Sequence, residues 1–290
     1  MAITYNDLYL DLRRRFKGAG DVEPERAARE LVCRAAGKSN EEFVRDIRLY
    51  VPSDAVEAAD ALAERHLSGE PVAYLLGEWE FYGVPLDITR AVLIPRPDTE
   101  VLASCAIETA LACEEPPRVL DLCAGSGCVG LALASRVPNA RVLLGELDEE
   151  AAAVCRRNIR RNALSARVSV LCVNALGPPP RQLGALDLIV SNPPYIPTAD
   201  IETLDISVRG YEPRLALDGG ADGLDFYRAI CGKWREALRP AGKLLFEVGV
   251  GQADAVRQLM LASGFGDVRT VMDLGGIPRV VCGTRLDKAS

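Results

Sequence analysis

The seven residues 191–197, SNPPYIP, combine groups that could bind the amino group of a planar substrate. Asn192 ends an apolar run and carries an amide whose Oδ1 can accept a hydrogen bond from a substrate NH₂. Pro193 and Pro194 fix φ and remove two backbone donors, so this turn offers carbonyl oxygens only. The ring of Tyr195 can stack on a planar amide or base. These residue types predict an acceptor clamp; the alternative is a proline-rich strand end without a ligand.

A second candidate site is the glycine-rich segment DLCAGSGCVG, which directly follows another apolar run. Glycines let the backbone approach a ligand closely and lead into a helix N-terminus. The spacing also satisfies G-x-G-x-x-G, which is typical of dinucleotide sites. A tight turn without a ligand is the alternative. We expect a nucleoside cofactor to contact the loop residues Cys123, Ala124, Gly125, Ser126 and Gly127.

An acidic residue ends the next predicted strand. Glu146 is placed to accept hydrogen bonds from ribose hydroxyls, and Asp148 is the candidate if that strand ends later. Either acid could instead be an ordinary surface charge at a helix start. The glycine loop and the acid together predict a nucleoside cofactor without identifying it.

The elements that must position these residues form an alternation of strands and helices. The predicted strands are 118–122, 141–146, 167–173, 186–191, 242–248, 267–272 and 279–284. Short, nearly continuous apolar strands with helices between them predict a mostly parallel sheet covered on both faces. The last two strands are joined by the turn-rich LGGIP, so we expect an antiparallel pair at one edge. Ligands in such sheets bind beyond the carboxyl ends of the strands, where both candidate sites lie.

The first seventy residues are predicted to be helical. Pro24 opens one helix and Gly37 ends it, and Ser39 with Glu42 forms a capping box for the next. A further helix is expected from about residue 53 to residue 68. The aromatic segment 75–88 predicts two short strands around a turn, which we interpret as a hinge. The predicted domains are therefore a helical bundle (1–74), a β-hairpin linker (75–90) and an α/β domain (91–290).

Composition narrows the classes of function. The net charge of −7 argues against broad binding of nucleic-acid phosphates, and no apolar stretch is long enough to span a membrane. The nine cysteines are scattered singly, which predicts small buried thiols in a reducing cytosol and no metal site. The single histidine, His66, is expected at the surface, so a histidine base is not part of the predicted mechanism. The N-terminus is unlike a secretory signal, and we expect a cytoplasmic protein.

Four segments resemble one protein family over nearly the whole chain: GEWEFYG (77–83), IPRPDTE (94–100), NPPYIP (192–197) and YEPRLALDGGADGLDFYR (211–228). The family is the protein N5-glutamine methyltransferases called PrmC or HemK. NPPY alone is shared with adenine-N6 and guanine-N2 methyltransferases, whereas IPRPDTE and EPRLALDGG-x-DGL are more specific. The resemblance implies a class I methyltransferase fold, Rossmann-like, with a mostly parallel seven-stranded sheet.

The resemblance also implies the chemistry. The cofactor would be S-adenosylmethionine, and the substrate would be the glutamine of the Gly-Gly-Gln motif in bacterial class I peptide chain release factors. Asn192, Pro193, Pro194 and Tyr195 would be catalytic, and Asn192 would also lie against the cofactor. The partner is thus a protein, with no nucleic acid or membrane, and we expect a monomer.

Three positions depart from the family pattern. Cys123 stands where the family usually has the first glycine of the loop, and Glu146 replaces a commoner aspartate but keeps the carboxylate. Asn174 replaces an aspartate that would meet the adenine amino group; Asn can still accept through Oδ1, so weaker cofactor binding is expected.

The expected reaction is an in-line displacement in which an amide nitrogen attacks the methyl group of a sulfonium. Positioning and stabilisation of developing charge would be the main contributions of the enzyme. Three alternatives stay open: a nucleic-acid adenine-N6 or guanine-N2 methyltransferase, an NAD-dependent oxidoreductase using G-x-G-x-x-G and Glu146, and a non-catalytic binding module.

Overall fold

A computed structural model describes residues 3–287. In chain order its helices are α1 (Tyr5–Gly18), α2 (Pro24–Ala36), α3 (Asn40–Asp46), α4 (Ser53–Leu67), α5 (Val72–Leu76), α6 (Thr99–Leu111), α7 (Cys128–Arg136), α8 (Glu149–Arg161), α9 (Ile206–Arg209), α10 (Asp225–Ala229) and α11 (Ala253–Ala262). Its strands are β1 (Glu78–Phe81), β2 (Val84–Asp87), β3 (Arg118–Leu122), β4 (Arg141–Glu146), β5 (Val168–Cys172), β6 (Leu186–Ser191), β7 (Leu238–Glu247), β8 (Phe265–Met272) and β9 (Pro278–Arg285).

The chain forms two compact units, Met1–Glu78 with Asp205–Tyr211, and Trp79–Leu204 with Glu212–Ser290. The inclusion of residues 205–211 in the first unit has no signal in the hydrophobic pattern. Within that unit the Tyr211 hydroxyl donates to the carbonyl of Ser68 over 3.2 Å. The predicted domain boundaries stay a prediction.

The first unit is the predicted helical bundle. Pro24 is the first residue of α2, and Gly37 ends that helix in the left-handed conformation with φ 62°. Ser39 and Glu42 form the predicted capping box of α3. The helix α4 begins and ends within one residue of its predicted bounds, and the short α5 was not predicted.

The prediction for His66 was wrong. Its side chain is only 17% exposed and packs edge-on against Phe16, with ring centroids 4.7 Å apart. One ring nitrogen contacts Asp21 Oδ2 and the other the carbonyl of Glu70, each at 3.0 Å. Helical periodicity alone did not reveal this because the polar partners of His66 lie at distant and at loop positions.

The predicted hairpin is present as β1 and β2. In the second unit it is fixed to α8, because Asn158 accepts from the backbone N–H of Asp87 at 2.6 Å and donates to its carbonyl at 3.1 Å. Arg161 also pairs with the Asp87 carboxylate at 2.5 Å. The role of residues 75–90 as a hinge stays a prediction.

The second unit contains the predicted seven-stranded sheet, in the order β5-β4-β3-β6-β7-β9-β8. The strands β3 to β7 pair in parallel, while β9 is antiparallel to both β7 and β8. This confirms the mostly parallel sheet with its antiparallel edge. Because chain order reverses between β3 and β6, the sheet has a crevice beyond the carboxyl ends of these strands.

The cysteines follow the prediction only in part. All nine are free thiols, and Cys33, Cys155, Cys231 and Cys282 are buried as expected. The side chains of Cys105, Cys113, Cys123 and Cys128 are only half-buried, and Cys172 is exposed at the end of the edge strand β5. Among the helices of residues 3–287, none has both the length and the apolar character needed to cross a bilayer.

Candidate active site

A cavity lies beyond the carboxyl ends of the central parallel strands, in the second unit. Eight of the predicted site residues line it: Cys123, Ala124, Gly125, Ser126, Glu146, Asn174, Asn192 and Pro194. Further lining residues are Asp121, Thr99, Pro95, Pro213, Leu215 and Phe226. The fold therefore brings the glycine loop and the NPPY turn, about 70 residues apart, to one cavity.

The glycine loop holds Cys123 in a backbone conformation that favours glycine. Cys123 has φ 65°, a left-handed conformation that glycine adopts without cost and other residues rarely adopt. Its N–H and that of Ala124 both donate to the carbonyl of Gly145, at 2.9 and 3.1 Å. Gly127, with φ 82°, ends the loop as the N-cap of α7 and does not line the cavity. These two backbone hydrogen bonds fix the loop at Cys123 against the end of β4.

The Glu146 carboxylate lies in the wall of the cavity and is 9% exposed. Its Oε2 accepts from the backbone N–H of Gly125 at 2.8 Å, and Oε1 accepts from those of Leu147 and Asp148 at 2.7 and 3.0 Å. Three backbone donors thus hold the carboxylate in one orientation, and its remaining lone pairs are free to accept from a ligand.

Asp148, the predicted fallback for Glu146, has a different local role. Its Oδ1 accepts from the N–H of Ala151 at 2.9 Å and so caps the N-terminus of α8. Asn174, which also departs from the family pattern, is exposed, and its Oδ1 accepts from Leu176 N–H at 2.9 Å. One lone pair of that oxygen is therefore already used within the chain.

Asn192 and Pro194 line the cavity, whereas Pro193 and Tyr195 do not. The amide nitrogen of Asn192 lies 3.4 Å from Thr99 Oγ1, as the donor of a long hydrogen bond. With Nδ2 turned toward Thr99, Oδ1 is the end of the amide left for the cavity. The predicted stacking of Tyr195 on a substrate amide stays a prediction.

Glycines lie at the points where neighbouring segments of the chain pack against Tyr195. A Cβ added at Gly219 would lie 2.7 Å from Tyr195 Cα, and one at Gly249 would lie 3.0 Å from its ring. The carbonyl of Tyr195 accepts from Gln252 Nε2 at 2.9 Å. Burial raises the pKa of the Tyr195 hydroxyl to about 12, so the phenol stays neutral at physiological pH. Gly219, in the segment LDGGADGL, and Gly249, shortly after β7, thus allow the NPPY turn to pack closely.

Comparison with known proteins identifies the family. Family models match twice: the PrmC N-terminal domain over residues 7–77 and the Methyltransferase small domain over residues 99–206. The chain is 44% identical to the release factor glutamine methyltransferase of Geobacter sulfurreducens, over 82% of this chain and 83% of that protein. It is 37% identical to the Caulobacter vibrioides protein of the same name, over 98% of both chains. The chain belongs to the release factor glutamine methyltransferase family.

A solved structure supports the fold alone. The catalytic domain of hMettl16, in complex with the MAT2A 3′UTR hairpin 6, superposes with a TM-score of 0.57 at 17% identity, covering 72% of this chain and 78% of that one. The methyltransferase fold predicted from the sequence is confirmed.

The contacts that residues of the family motifs make were not predicted from the sequence. In IPRPDTE, Arg96 pairs with the buried Glu212 of the second motif at 2.6 Å, and Thr99 contacts Asn192. Asp98 pairs with Arg279 at 2.7 Å. The sequence predicts no structural role for either motif, because contacts between residues more than 90 positions apart leave no local signal.

Asn158 is another residue whose role was not predicted from the sequence. It is fully buried on α8, where its Nδ2 donates to the Ser126 carbonyl of the glycine loop at 2.9 Å in addition to binding Asp87. It therefore ties the hairpin to the loop. An asparagine inside the otherwise charged run CRRNIRR was its only signal.

Two buried carboxylates have pKa values raised to about 7, and burial also raises the pKa of Glu212, an effect that Arg96 opposes. Burial raises the pKa of Asp121 to about 7, opposed by a hydrogen bond from Gly130 N–H at 2.8 Å. Burial likewise raises the pKa of Glu247 to about 7. Both acids interrupt apolar strand segments near their carboxyl ends, as Glu146 does, and that pattern could have identified them. Among residues 3–287 no cluster of three or more His, Cys, Asp or Glu side chains could hold a metal ion.

Proposed function

We propose that this protein transfers a methyl group from S-adenosylmethionine to the side-chain amide nitrogen of the glutamine in the Gly-Gly-Gln motif of class I peptide chain release factors. The observation that carries the proposal is the placement of the Asn192 amide in the same cavity as the glycine loop and Glu146. Family membership supports the same substrate, since the relatives are named for it.

The residues of the cavity fit this cofactor. The loop from Cys123 to Gly127 passes close to the cavity without large side chains, and the held carboxylate of Glu146 suits ribose hydroxyls. Asn174 would meet the adenine end of the cofactor, and Asn192 would lie at its methyl end. When bound, the cofactor supplies an electrophilic methyl group.

The protein's own part in the reaction is to hold the substrate amide. An amide nitrogen is a weak nucleophile because its lone pair is delocalised into the carbonyl group. The Asn192 Oδ1 in the cavity would accept a hydrogen bond from one N–H of this amide. We assign the other N–H to the carbonyl of Pro193, which is adjacent to Asn192 in the chain although Pro193 is not among the residues that line the cavity. Together the two acceptors would fix the orientation of the amide and stabilise positive charge that develops on nitrogen. No histidine takes part, since the single histidine, His66, is a partly buried residue of the helical unit that contacts Asp21 and does not line the cavity.

The alternatives account for fewer features. A nucleic-acid methyltransferase would share the NPPY turn, but the net charge of −7 does not favour phosphate binding. An oxidoreductase would use the glycine loop and Glu146 and leave the Asn192 turn without a role. A binding module would leave the whole cavity without a function.

The test is methyl transfer from labelled S-adenosylmethionine to a release-factor fragment that carries Gly-Gly-Gln. We expect label on this fragment and none on a matched Gly-Gly-Ala fragment. Label on the control, or on DNA or RNA in preference to the fragment, would overturn the glutamine assignment. Calorimetry with S-adenosylmethionine and with NAD separates the methyltransferase from the oxidoreductase.

Asn192→Ala tests the clamp. It removes one of the two acceptors, so turnover should fall on the order of a hundredfold while cofactor affinity changes little. Single-turnover rates and calorimetric dissociation constants measure the two effects separately. An unchanged rate would show that Asn192 does not hold the substrate.

A further inference from the structure

A buried carboxylate behind the NPPY turn has no role in the mechanism so far. Glu247 is the last residue of β7 and is 2% exposed. Its Oε2 has no hydrogen-bond partner among residues 3–287. Since buried polar groups are almost always paired, and an unpaired carboxylate is costly to bury, this residue requires an explanation.

Strand register places Glu247 beside the clamp. In the β6–β7 pair Ser191 is the partner of Phe246, so the next residues of the two strands, Asn192 and Glu247, are neighbours at the rim of the cavity. Thr99, also 2% exposed, contacts Asn192 from α6. These three side chains form one polar cluster at the inner side of the Asn192 amide.

The surroundings of Glu247 leave it between two protonation states near neutral pH. Burial raises its pKa and the charge of Asp98 adds to this rise, whereas the Thr99 hydroxyl, the charge of Arg279 and the Asn192 amide lower it. The guanidinium of Arg279 is itself shared with Asp98 and Asp273, at 2.7 and 2.9 Å. The other ionisable groups whose charge interacts with Glu247 lie on three neighbouring elements: Tyr195 after β6, Tyr227 on α10 and Cys128 at the start of α7.

The orientation of the Asn192 amide depends on this carboxylate. A side-chain amide has a donor end and an acceptor end of nearly equal size, so packing alone does not choose between them. An ionised carboxylate accepts from the NH₂ end and repels the Oδ1 end. Glu247 therefore favours the orientation in which Nδ2 faces inward and Oδ1 faces the cavity.

We propose that Glu247 is a positioning residue for methyl transfer: its carboxylate holds the NH₂ of Asn192 and so turns Oδ1 of Asn192 toward the substrate amide. This inference rests on the assignment of Asn192 to the substrate made under the proposed function. The charge also polarises the Asn192 amide, which strengthens Oδ1 as an acceptor while positive charge develops on the substrate nitrogen. Turnover then requires the ionised form of Glu247.

The experiment compares Glu247→Gln and Glu247→Ala with the parent, in the full chain and with an intact release factor. The alanine variant should lose turnover on the order of a hundredfold, with cofactor affinity within about twofold of the parent. In the glutamine variant the new amide can turn its oxygen to the Asn192 NH₂, so that variant should keep about ten times the turnover of the alanine variant. The kcat of the parent should rise with pH through about 7, and that of Glu247→Gln should be nearly flat there.

Two controls separate positioning from stability. Asp187→Asn changes another buried carboxylate, near the amino end of β6, and should leave the pH profile of kcat unchanged. In a double-mutant cycle Glu247→Ala should add little to the loss already caused by Asn192→Ala, because both act through one amide.

Each outcome decides one point. Additive losses, or a pH profile that persists in Glu247→Gln, would overturn the positioning role. If Asn192→Ala itself keeps full turnover, Asn192 does not hold the substrate. In that case the proposed function of Asn192 fails, and with it the link to Glu247. Should Glu247→Ala not fold, the pH profile of the isosteric glutamine variant still decides the question.

Discussion

At the scale of single residues, the site depends on side chains that satisfy backbone donors. Glu146 accepts three backbone N–H groups and thereby joins the glycine loop to the end of β4. A residue that positions the loop and also faces the cavity affects cofactor binding twice, through its own contacts and through the loop. The neighbouring Asp148, which caps α8, has mainly a structural role.

Glu146→Ala should weaken binding of S-adenosylmethionine by about 1–3 kcal/mol, because a charged acceptor and the anchor of Gly125 are lost together. Asp148→Ala is the matched control: it should lower the free energy of unfolding by about 1 kcal/mol and change affinity much less. Calorimetry gives the affinities and urea denaturation the stabilities. If instead Asp148→Ala weakens cofactor binding and Glu146→Ala mainly lowers the free energy of unfolding, Asp148 is the ribose ligand.

Sequence reasoning located residues of the site whose signals are local, and missed those whose partners are distant. The NPPY turn and the glycine loop are contiguous, so residue type and spacing were enough to predict them. Thr99 and Glu247 act through Asn192, which lies 93 positions from Thr99. No single-sequence pattern encodes such a contact, because it arises only when the strand order of the sheet is known.

At the scale of elements, the hairpin and the glycine loop are coupled through α8. The buried Asn158 binds the backbone of Asp87 in β2 and the carbonyl of Ser126 in the loop. Asn158→Ala leaves one buried donor and two buried acceptors without partners. We expect it to lower the free energy of unfolding by about 3 kcal/mol and to weaken cofactor binding, since the loop loses an anchor.

The control is Asn162→Ala, at the C-cap of the same helix. Asn162 donates to the carbonyl of Pro85 at 2.9 Å, but this bond is exposed, so its loss should cost less than about 1 kcal/mol and leave cofactor binding unchanged. Denaturation and calorimetry on both variants make the comparison. Equal effects at the two positions would show that Asn158 has no special role in the loop.

The strands were predicted well because each is a short apolar run between turn residues, a pattern that the buried parallel sheet requires. All seven were found, although β7 and β8 begin earlier than predicted, at Leu238 and Phe265. The short α5 and the assignment of residues 205–211 to the first unit were not predicted. Both depend on packing between distant segments, and short helices carry too few turns for a periodic signal.

At the scale of the whole molecule, buried acids make stability depend on pH. The pKa of Asp121 rises from 3.8 to about 7 on folding, so the native state holds a proton that the unfolded chain has lost between these values. The contribution of Asp121 to the free energy of unfolding is therefore largest at low pH and is lost as pH rises through about 7. The loss amounts to about 1.4 kcal/mol for each unit of pKa shift. Glu247 acts in the same direction.

Asp121→Asn keeps an acceptor for Gly130 N–H and removes the ionisation. Its free energy of unfolding, without cofactor, should fall less between pH 5.5 and pH 8.5 than that of the parent. Asp254→Asn, at an exposed position of α11, should keep the parental slope. A parental slope in Asp121→Asn would mean that Asp121 is ionised throughout this range.

Recognition of a folded substrate needs more surface than one glutamine side chain offers. The helical unit exposes three apolar side chains within seven residues: Val44, Leu49 and Tyr50, at 64%, 56% and 70% exposure. Three exposed apolar side chains so close together in the sequence are typical of an interaction surface. We expect this segment to contact the release factor outside the Gly-Gly-Gln motif.

The double substitution Val44→Glu, Tyr50→Glu places two charges on that surface and changes no residue of the second unit, which contains the cavity. It should lower kcat/KM for an intact release factor by about tenfold or more, since apolar contacts at the centre of an interface are each worth a kcal/mol or more. Activity on a short Gly-Gly-Gln peptide should not change, because such a peptide lacks the rest of the release factor that this surface would contact. Leu111→Glu, at an equally exposed apolar position of the other unit, is the control. If the double variant methylates factor and peptide like the parent, the helical unit binds its partner through other residues.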